Sequence, residues 1–227
     1  GAGLPGAVGG DKVRLPRRDP DFGKDMNAVV RAARADELAG AAAVLTDAFV
    51  DEAGLNYWLR QDASKERCRA KFFDAVVRDM LHPKRDIWVS DDSGAMKGAA
   101  VWLGPGLKAF DFPWWRELLY TPLFLSIAGA SGLKRAQELG ARLTACHPAV
   151  PHAHLQFLGV SSTAQGQGIG SAILKETLAP LDASGTVGYL EASTERNVAL
   201  YARHGFEVTN EFALPGLHFW CMTRMPR

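Results

Sequence analysis

Cysteine is scarce in this chain, and what there is forms no pattern. Three of the 227 residues are cysteines, Cys68, Cys146 and Cys221. Their separation rules out the close pairs that hold structural zinc, and an odd, low count suits a reducing compartment. No disulfide framework and no metal are expected, and all three read as core or inert thiols. Charge of one sign is also missing. The formal net charge is +1, which leaves no global electrostatic case for nucleic acid. No apolar run is long enough to span a bilayer. The most apolar stretch, Leu118 to Ala130, is interrupted by Thr121 and Pro122 and falls short of the ~20 residues required. It is expected to be a buried helix or the wall of a substrate pocket. No basic stretch precedes an apolar segment in the Gly/Ala-rich opening residues, so no secretory signal is expected. These absences point to a soluble, cytoplasmic monomer or homodimer with no membrane or nucleic-acid partner. Internal repeats and low-complexity linkers are lacking too.

What is present is an ordinary globular composition, 47% apolar and 22% charged, ample for one core. Residues 1–25 are rich in Gly, Pro and charge and are expected to be a flexible segment. Residues 26–227 are expected to form a single domain. Ala28-Val29-Val30 reads as a strand. Asp36 reads as the cap of a helix with Leu38, Ala42, Leu45 and Phe49 on one face, and Ser64 as the cap of another bearing Cys68, Phe72, Val76 and Met80. His82-Pro83 ends the second helix, because proline disfavours helix at the residue before it. Ile87-Trp88-Val89 and Ala99 to Leu103 predict an antiparallel hairpin across Asp91-Asp92-Ser93-Gly94. Residues 107–150 read as a helical, aromatic-rich segment carrying Phe110, Phe112, Trp114, Trp115 and Phe124, with a stripe of Leu133, Ala136, Leu139 and Leu143. Strands follow at 154–161, 187–192, 206–212 and 218–223, with helices after the first two. The order describes an α/β (α+β) fold with a mixed sheet, not an alternating all-parallel one.

The densest signal is Gln165-Gly166-Gln167-Gly168-Ile169-Gly170, between the apolar strand Leu155 to Val160 and the helical start Ser171-Ala172-Ile173-Leu174. A strand, a glycine-dense turn and a helix N-terminus make an anion site, because backbone can approach closely and unpaired N–H groups point at the ligand. A Walker loop would need a lysine after the last glycine, and none stands there. A dinucleotide fold would need a third glycine where Ser171 stands, and the stretch from Ser171 to Arg227 is short for its several βαβ units.

The pattern Gln-x-x-Gly-x-Gly resembles the pyrophosphate loop of the GNAT superfamily of N-acetyltransferases. Tyr189-Leu190-Glu191-Ala192-Ser193, then Asn197 and Tyr201, then Gly205-Phe206, follow in the order of that family. Residues 154–225 are similar to the puromycin N-acetyltransferase group, in Gly159-Val160-Ser161, Leu190 to Ser193, Leu200 to Phe206 and Trp220 to Arg224. Thr46 to Phe49 and Trp88 to Asp92 carry weaker similarity, and 107–150 does not match.

The resemblance implies a mostly antiparallel central sheet flanked by helices, with 107–150 as a helical insertion on the substrate side. It implies acetyl-CoA as donor and a small-molecule primary amine as acceptor, with an aminonucleoside-type antibiotic as one candidate. Gln165, Gly166, Gln167, Gly168, Gly170 and Ser171 would hold the pyrophosphate. Leu158 and Val160 would bond the pantetheine arm through their backbone. Tyr201 would be the general acid and Asn197 a cofactor contact. The base is open among Glu191, His154 and water. His154 and Gln156 share a strand face by period two, and an imidazole titrates nearest neutrality. His147 and His152 read as loop residues.

Overall fold

The computed structural model describes residues 29–92, 94–110 and 113–227. The expectations for residues 1–25, Ala28, Ser93 and Phe112 lie outside them. Seven strands form one sheet: β1 (Val29–Ala32), β2 (Arg85–Asp92), β3 (Ala95–Leu103), β4 (His152–Val160), β5 (Val187–Ala192), β6 (Glu207–Leu214) and β7 (Leu217–Arg224), in the order β1-β2-β3-β4-β5-β7-β6. Every neighbouring pair is antiparallel except β4 and β5. Among the described residues six α-helices accompany them: α1 (Leu38–Ala48), α2 (Ala53–Trp58), α3 (Lys65–Ala75), α4 (Trp114–Cys146), α5 (Ile169–Ala183) and α6 (Glu195–Arg203).

The alternation of β3 sorts the core into two layers. Ala99, Val101 and Leu103 pack with α1 to α4, while Ala100 and Trp102 pack under α5 with Ile169, Ile173 and Leu174. On the first side Phe49, Phe72, Phe73 and Phe157 meet edge to face, with centroids 5.1 to 5.9 Å apart.

Four local expectations need correction. Asp36 does not cap α1; it lies in a 3₁₀ turn (Ala35–Glu37), and the carboxylate of Glu37 accepts from the Arg34 amide and the Arg31 guanidinium. That knot tightens the chain one turn before the helix. Ser64 precedes α3, but its hydroxyl turns back to Asp62 rather than onto the helix amides. The short helix α2 had no sequence signal: Glu52 caps it by accepting from the amides of Gly54 and Leu55.

The fourth correction concerns α4. It starts only at Trp114, and Pro122 sits inside it without breaking it. The break falls at Gly129, at φ 67 and ψ 176, which a residue with a Cβ resists. Carbonyls freed by the kink find donors on Arg60: its side chain reaches Ser126 O at 2.7 Å and its amide reaches Ile127 O at 3.0 Å. Pro122 costs one ladder bond on an exposed stretch, where water substitutes. Leu118 and Leu119 are correspondingly exposed, and only Ile127 and Ala128 of the apolar run are buried. Among the described residues no helix is long and apolar enough to cross a membrane.

Two glycines of α4 separate close packing from mere propensity. A Cβ on Gly132 would lie 2.1 Å from the Trp58 carbonyl oxygen, whereas one on Gly140 meets nothing within 4 Å. Gly132→Ala should therefore lose about 1–3 kcal/mol in urea unfolding. Gly140→Ala should be neutral or gain up to about 1 kcal/mol. A second prediction concerns Asp182, at the end of α5. Arg224 on β7 grips it at 2.7 and 2.8 Å, the Arg227 amide donates to it, and together they hold its carboxyl down at about 2. A carboxylate depressed in the fold stabilises above its unfolded pKa of about 4, and that contribution is lost as pH falls toward the folded value. Acid unfolding followed by circular dichroism should be less steep between about pH 4 and 2 in Asp182→Asn than in the parent.

Candidate active site

The site is built where β4 leaves its neighbour. β4 pairs with β5 only from His152 to Leu155, opposite Val187 to Leu190. On the other edge, Phe157 faces Val101 and Leu155 faces Trp102, so Gln156 is an extra residue in a bulge. The bulge reverses the alternation. Leu155, Leu158 and Val160 belong to the α5 side, while Phe157 packs with α1 and α3, and a Cβ on Gly159 would press on Ala48 at 2.8 Å. Past the bulge the β5-facing backbone of 156–160 has no strand partner. It borders a cavity of about 1380 Å³.

One end of that cavity is the glycine turn. Asp47 of α1 anchors its start, accepting from the Ser162 amide at 2.7 Å and from the hydroxyls of Ser161 and Ser162. The Ser162 amide bond is the largest cause of its lowered carboxyl pKa. Gly166 and Gly168 take φ of 79 and 84, and Gly168 is the residue from which α5 starts. The first bond into α5 is Ala172 N–H to Gly168 O at 3.0 Å, so the amides of Ile169, Gly170 and Ser171 precede the ladder. The side chains of Gln165 and Gln167 turn inward on the loop, donating to the carbonyls of Val160 and Thr163. Gly170 differs from the other two: it is helical, and a Cβ there would meet Leu200 and Val160 at an ordinary 3.7 Å. The Ser171 hydroxyl lies 2.6 Å from Nε2 of His204. Burial, then Arg203, Arg224 and Arg227, lower the His204 pKa, so the neutral ring accepts from the serine. Nothing in the sequence pattern marked His204. Arg196 and Arg203 of α6 line the same end.

The α6 face closes the middle of the cavity. Thr194 caps the helix by accepting from the Asn197 amide, which sets Asn197 and, one turn on, Tyr201 against the cavity. Tyr201 is buried, and burial followed by the charge of Glu52 raises its pKa. Its phenol stays protonated and remains a donor. Glu52 itself lines the cavity, on a loop the sequence reading passed over because no periodic motif surrounds it.

The structure brings His154 and Glu191 together. Nε2 of His154 lies 2.7 Å from Oε2 of Glu191, and Nδ1 of His154 lies 2.6 Å from the Gln156 side-chain nitrogen. Burial alone would raise the Glu191 carboxyl, but His154 and His147 outweigh it and hold it below the usual carboxylate range. His147 lies in the bend after α4, as expected, whereas His152 is in a strand and not a loop. Their rings stack around His154 and Tyr189 at 4.7 to 6.4 Å. The separation of Cys146 and Cys221 in sequence is likewise closed in space, where burial and then Cys146 raise the Cys221 thiol. The far end of the cavity is walled by Phe49, Trp58, Phe72, Phe110 and Phe124, with the α4 stripe of Leu133, Ala136, Leu139 and Leu143 behind.

Comparison with known proteins places this geometry. Residues 127–208 match the family model of the acetyltransferase (GNAT) domain. A Corynebacterium glutamicum protein, described as histone acetyltransferase HPA2 and related acetyltransferase, is 25% identical, with a TM-score of 0.70 over 89% of this chain and 98% of that one. The mosquito arylalkylamine N-acetyltransferase like 5b has a TM-score of 0.57 at 16% identity, over 88% of this chain and 100% of its own. Salmonella typhimurium yncA, solved with its cofactor acetyl-CoA, has a TM-score of 0.52 at 17% identity, over 89% and 95%. Residues 127–208 are thus similar to a GNAT acetyltransferase domain, and the fold is shared with acetyltransferases of known structure, which supports an acyltransferase.

The two kinds of glycine in the turn should respond differently. Gly168→Ala forces a Cβ into the left-handed region and should cost about 1–2 kcal/mol in thermal unfolding. Gly170→Ala, helical and with room for a methyl group, should leave the melting temperature close to that of the parent.

Proposed function

We propose that this chain is an acetyl-CoA-dependent N-acetyltransferase moving acetyl to a primary amine of a small molecule, with both substrates bound at once. One juxtaposition supports it most. The unpaired β4 edge at 156–160 runs directly into the glycine turn and the open amides of 169–171, along a single cavity. An extended, amide-bearing arm fits the first feature and a pyrophosphate the second. When bound, acetyl-CoA supplies the activated acyl group as a thioester.

The chain's residues supply the rest. The Gln165 to Gly168 turn and the amides from Gln167 to Ser171 hold the pyrophosphate, with Arg196 and Arg203 adding positive charge. Backbone groups of Leu158 and Val160 bond the arm, and Asn197 adds a polar contact. An N–H near Leu158 polarises the thioester carbonyl and receives the developing oxyanion. Tyr201 donates its phenolic proton to the departing sulfur. Glu191, through His154 or through water, takes the proton from the attacking amine. Glu52, facing the same cavity, draws the ammonium group in.

The aromatic wall suits a bulky, flat amine, and an aminonucleoside such as puromycin is the acceptor we favour. A second reading, transfer to a peptide amine, draws on the name of the C. glutamicum neighbour. A screen of amines and peptides with acetyl-CoA, following free thiol, separates them. Turnover of aromatic amines supports the first, and turnover of peptides alone supports the second. Tight CoA binding with no turnover on any acceptor would sink both and leave a binding module. In the active case Tyr201→Phe should lower kcat by about 10²-fold or more while the donor KM changes little.

A further inference from the structure

His147, His154 and Glu191 come from three separate elements, α4's end, β4 and β5, and converge at one point. One donor atom from each lies within 4.8 Å of the others. We propose that these three side chains form a binding site for a divalent transition ion of the zinc type. No metal was expected from the sequence, because these ligands follow no short spacing.

Distances carry the first part of the argument. Ligands about 2.0–2.1 Å from a tetrahedral ion stand about 3.3 Å apart. His147 Nε2 lies 3.5 Å from Oε1 of Glu191, and His154 Nε2 lies 2.7 Å from Oε2. The first pair already has the spacing, and the second needs about half an ångström of opening. Two imidazoles and a carboxylate are a donor set that zinc takes with a fourth position left for water. His147, whose side chain is 33% exposed, gives that position a way to solvent.

The supporting bonds carry the second part. Ring nitrogens that ligate an ion are aimed by a bond on the other nitrogen. Nδ1 of His147 is engaged by Nε2 of His152 at 3.2 Å, and Nδ1 of His152 in turn bonds the Val150 carbonyl. Nδ1 of His154 lies 2.6 Å from the Gln156 side-chain amide, which on a half-turn presents its oxygen to accept from Nδ1–H and frees Nε2 to ligate. Both histidines therefore direct Nε2 at Glu191. The side chain of Glu191 is 10% exposed, and among the described residues its buried Oε1 makes no close hydrogen bond, His147 Nε2 standing off at 3.5 Å. A buried carboxylate oxygen left this way is costly unless a cation meets it.

An ion there would engage His154 and Glu191, the groups assigned above to the base, so metal binding and turnover would exclude one another. Only this consequence rests on the proposed function; the site itself does not. The test uses tag-free, chelator-treated protein without CoA, titrated with zinc chloride by calorimetry and with cobalt(II) by visible absorption. One equivalent of zinc and intense four-coordinate cobalt bands are expected. Both should be lost in His147→Ala, at the half-exposed end of α4, and in Glu191→Gln, and kept in a Cys146→Ala, Cys221→Ala double variant. Should Glu191→Gln not fold, His147→Ala decides alone. Absent stoichiometric binding, or binding that survives His147→Ala, overturns the site. Zinc should inhibit acetyl transfer by the parent at least about tenfold, reversed by chelator, and should leave transfer by His147→Ala unaffected. Stoichiometric zinc binding by a protein that acetylates no amine when metal-free would keep the site and remove the proposed reaction. Transfer without zinc binding would do the reverse.

Discussion

Parallel β4 and β5 share hydrogen bonds only as far as Leu155 and Leu190, and the site depends on their parting. Backbone polar groups in a sheet interior are almost always paired. A strand that gives up its neighbour in the middle of a seven-stranded sheet keeps a row of donors and acceptors free, and the function proposed above assigns them to the cofactor arm. The bulge at Gln156 makes the separation possible without exposing the core. It reverses the alternation, so Phe157 fills the aromatic layer while Leu158 and Val160 turn toward α5. The glycine turn then only has to continue a strand that is already open.

Much of this was legible in the sequence, for identifiable reasons. The turn was readable because its chemistry is local: positive φ at Gly166 and Gly168 requires glycine within a few residues of the helix it starts. β5 was readable because a short apolar run is a signal of nearest neighbours. The position of Tyr201 came from resemblance, not from spacing alone. The misreadings share a cause. Pro122, which interrupts the apolar run, does not break the helix, and Gly129, which no expectation singled out, does, because what makes a break tolerable is a donor from elsewhere, here Arg60. His152 looked like a loop residue because its ring partner Tyr189 sits on a strand about forty positions away in the sequence, and His147, in its loop as expected, meets Glu191 only in space. Glu52 and His204 carry no motif, and only packing puts them at the cavity and the turn.

The electrostatics follow the same division. The glycine-turn end gathers open amides and the guanidinium groups of Arg196 and Arg203, a field for a phosphate. The middle holds Tyr201, kept protonated by burial, and a carboxylate kept charged by two imidazoles. A protonated phenol and an ionised carboxylate thus stand on one cavity, the states that the proposed roles of Tyr201 and Glu191 call for.

The kink in α4 gives the cavity's aromatic wall a further property. Helix halves joined by a glycine would ordinarily swing, and a wall that swings must be ordered each time a ligand arrives. Here the carbonyls at 125–127 are fastened from outside the helix by Arg60, on the chain segment that follows α2. The ordering entropy of that hinge is met once, during folding, so a ligand entering later does not have to supply it.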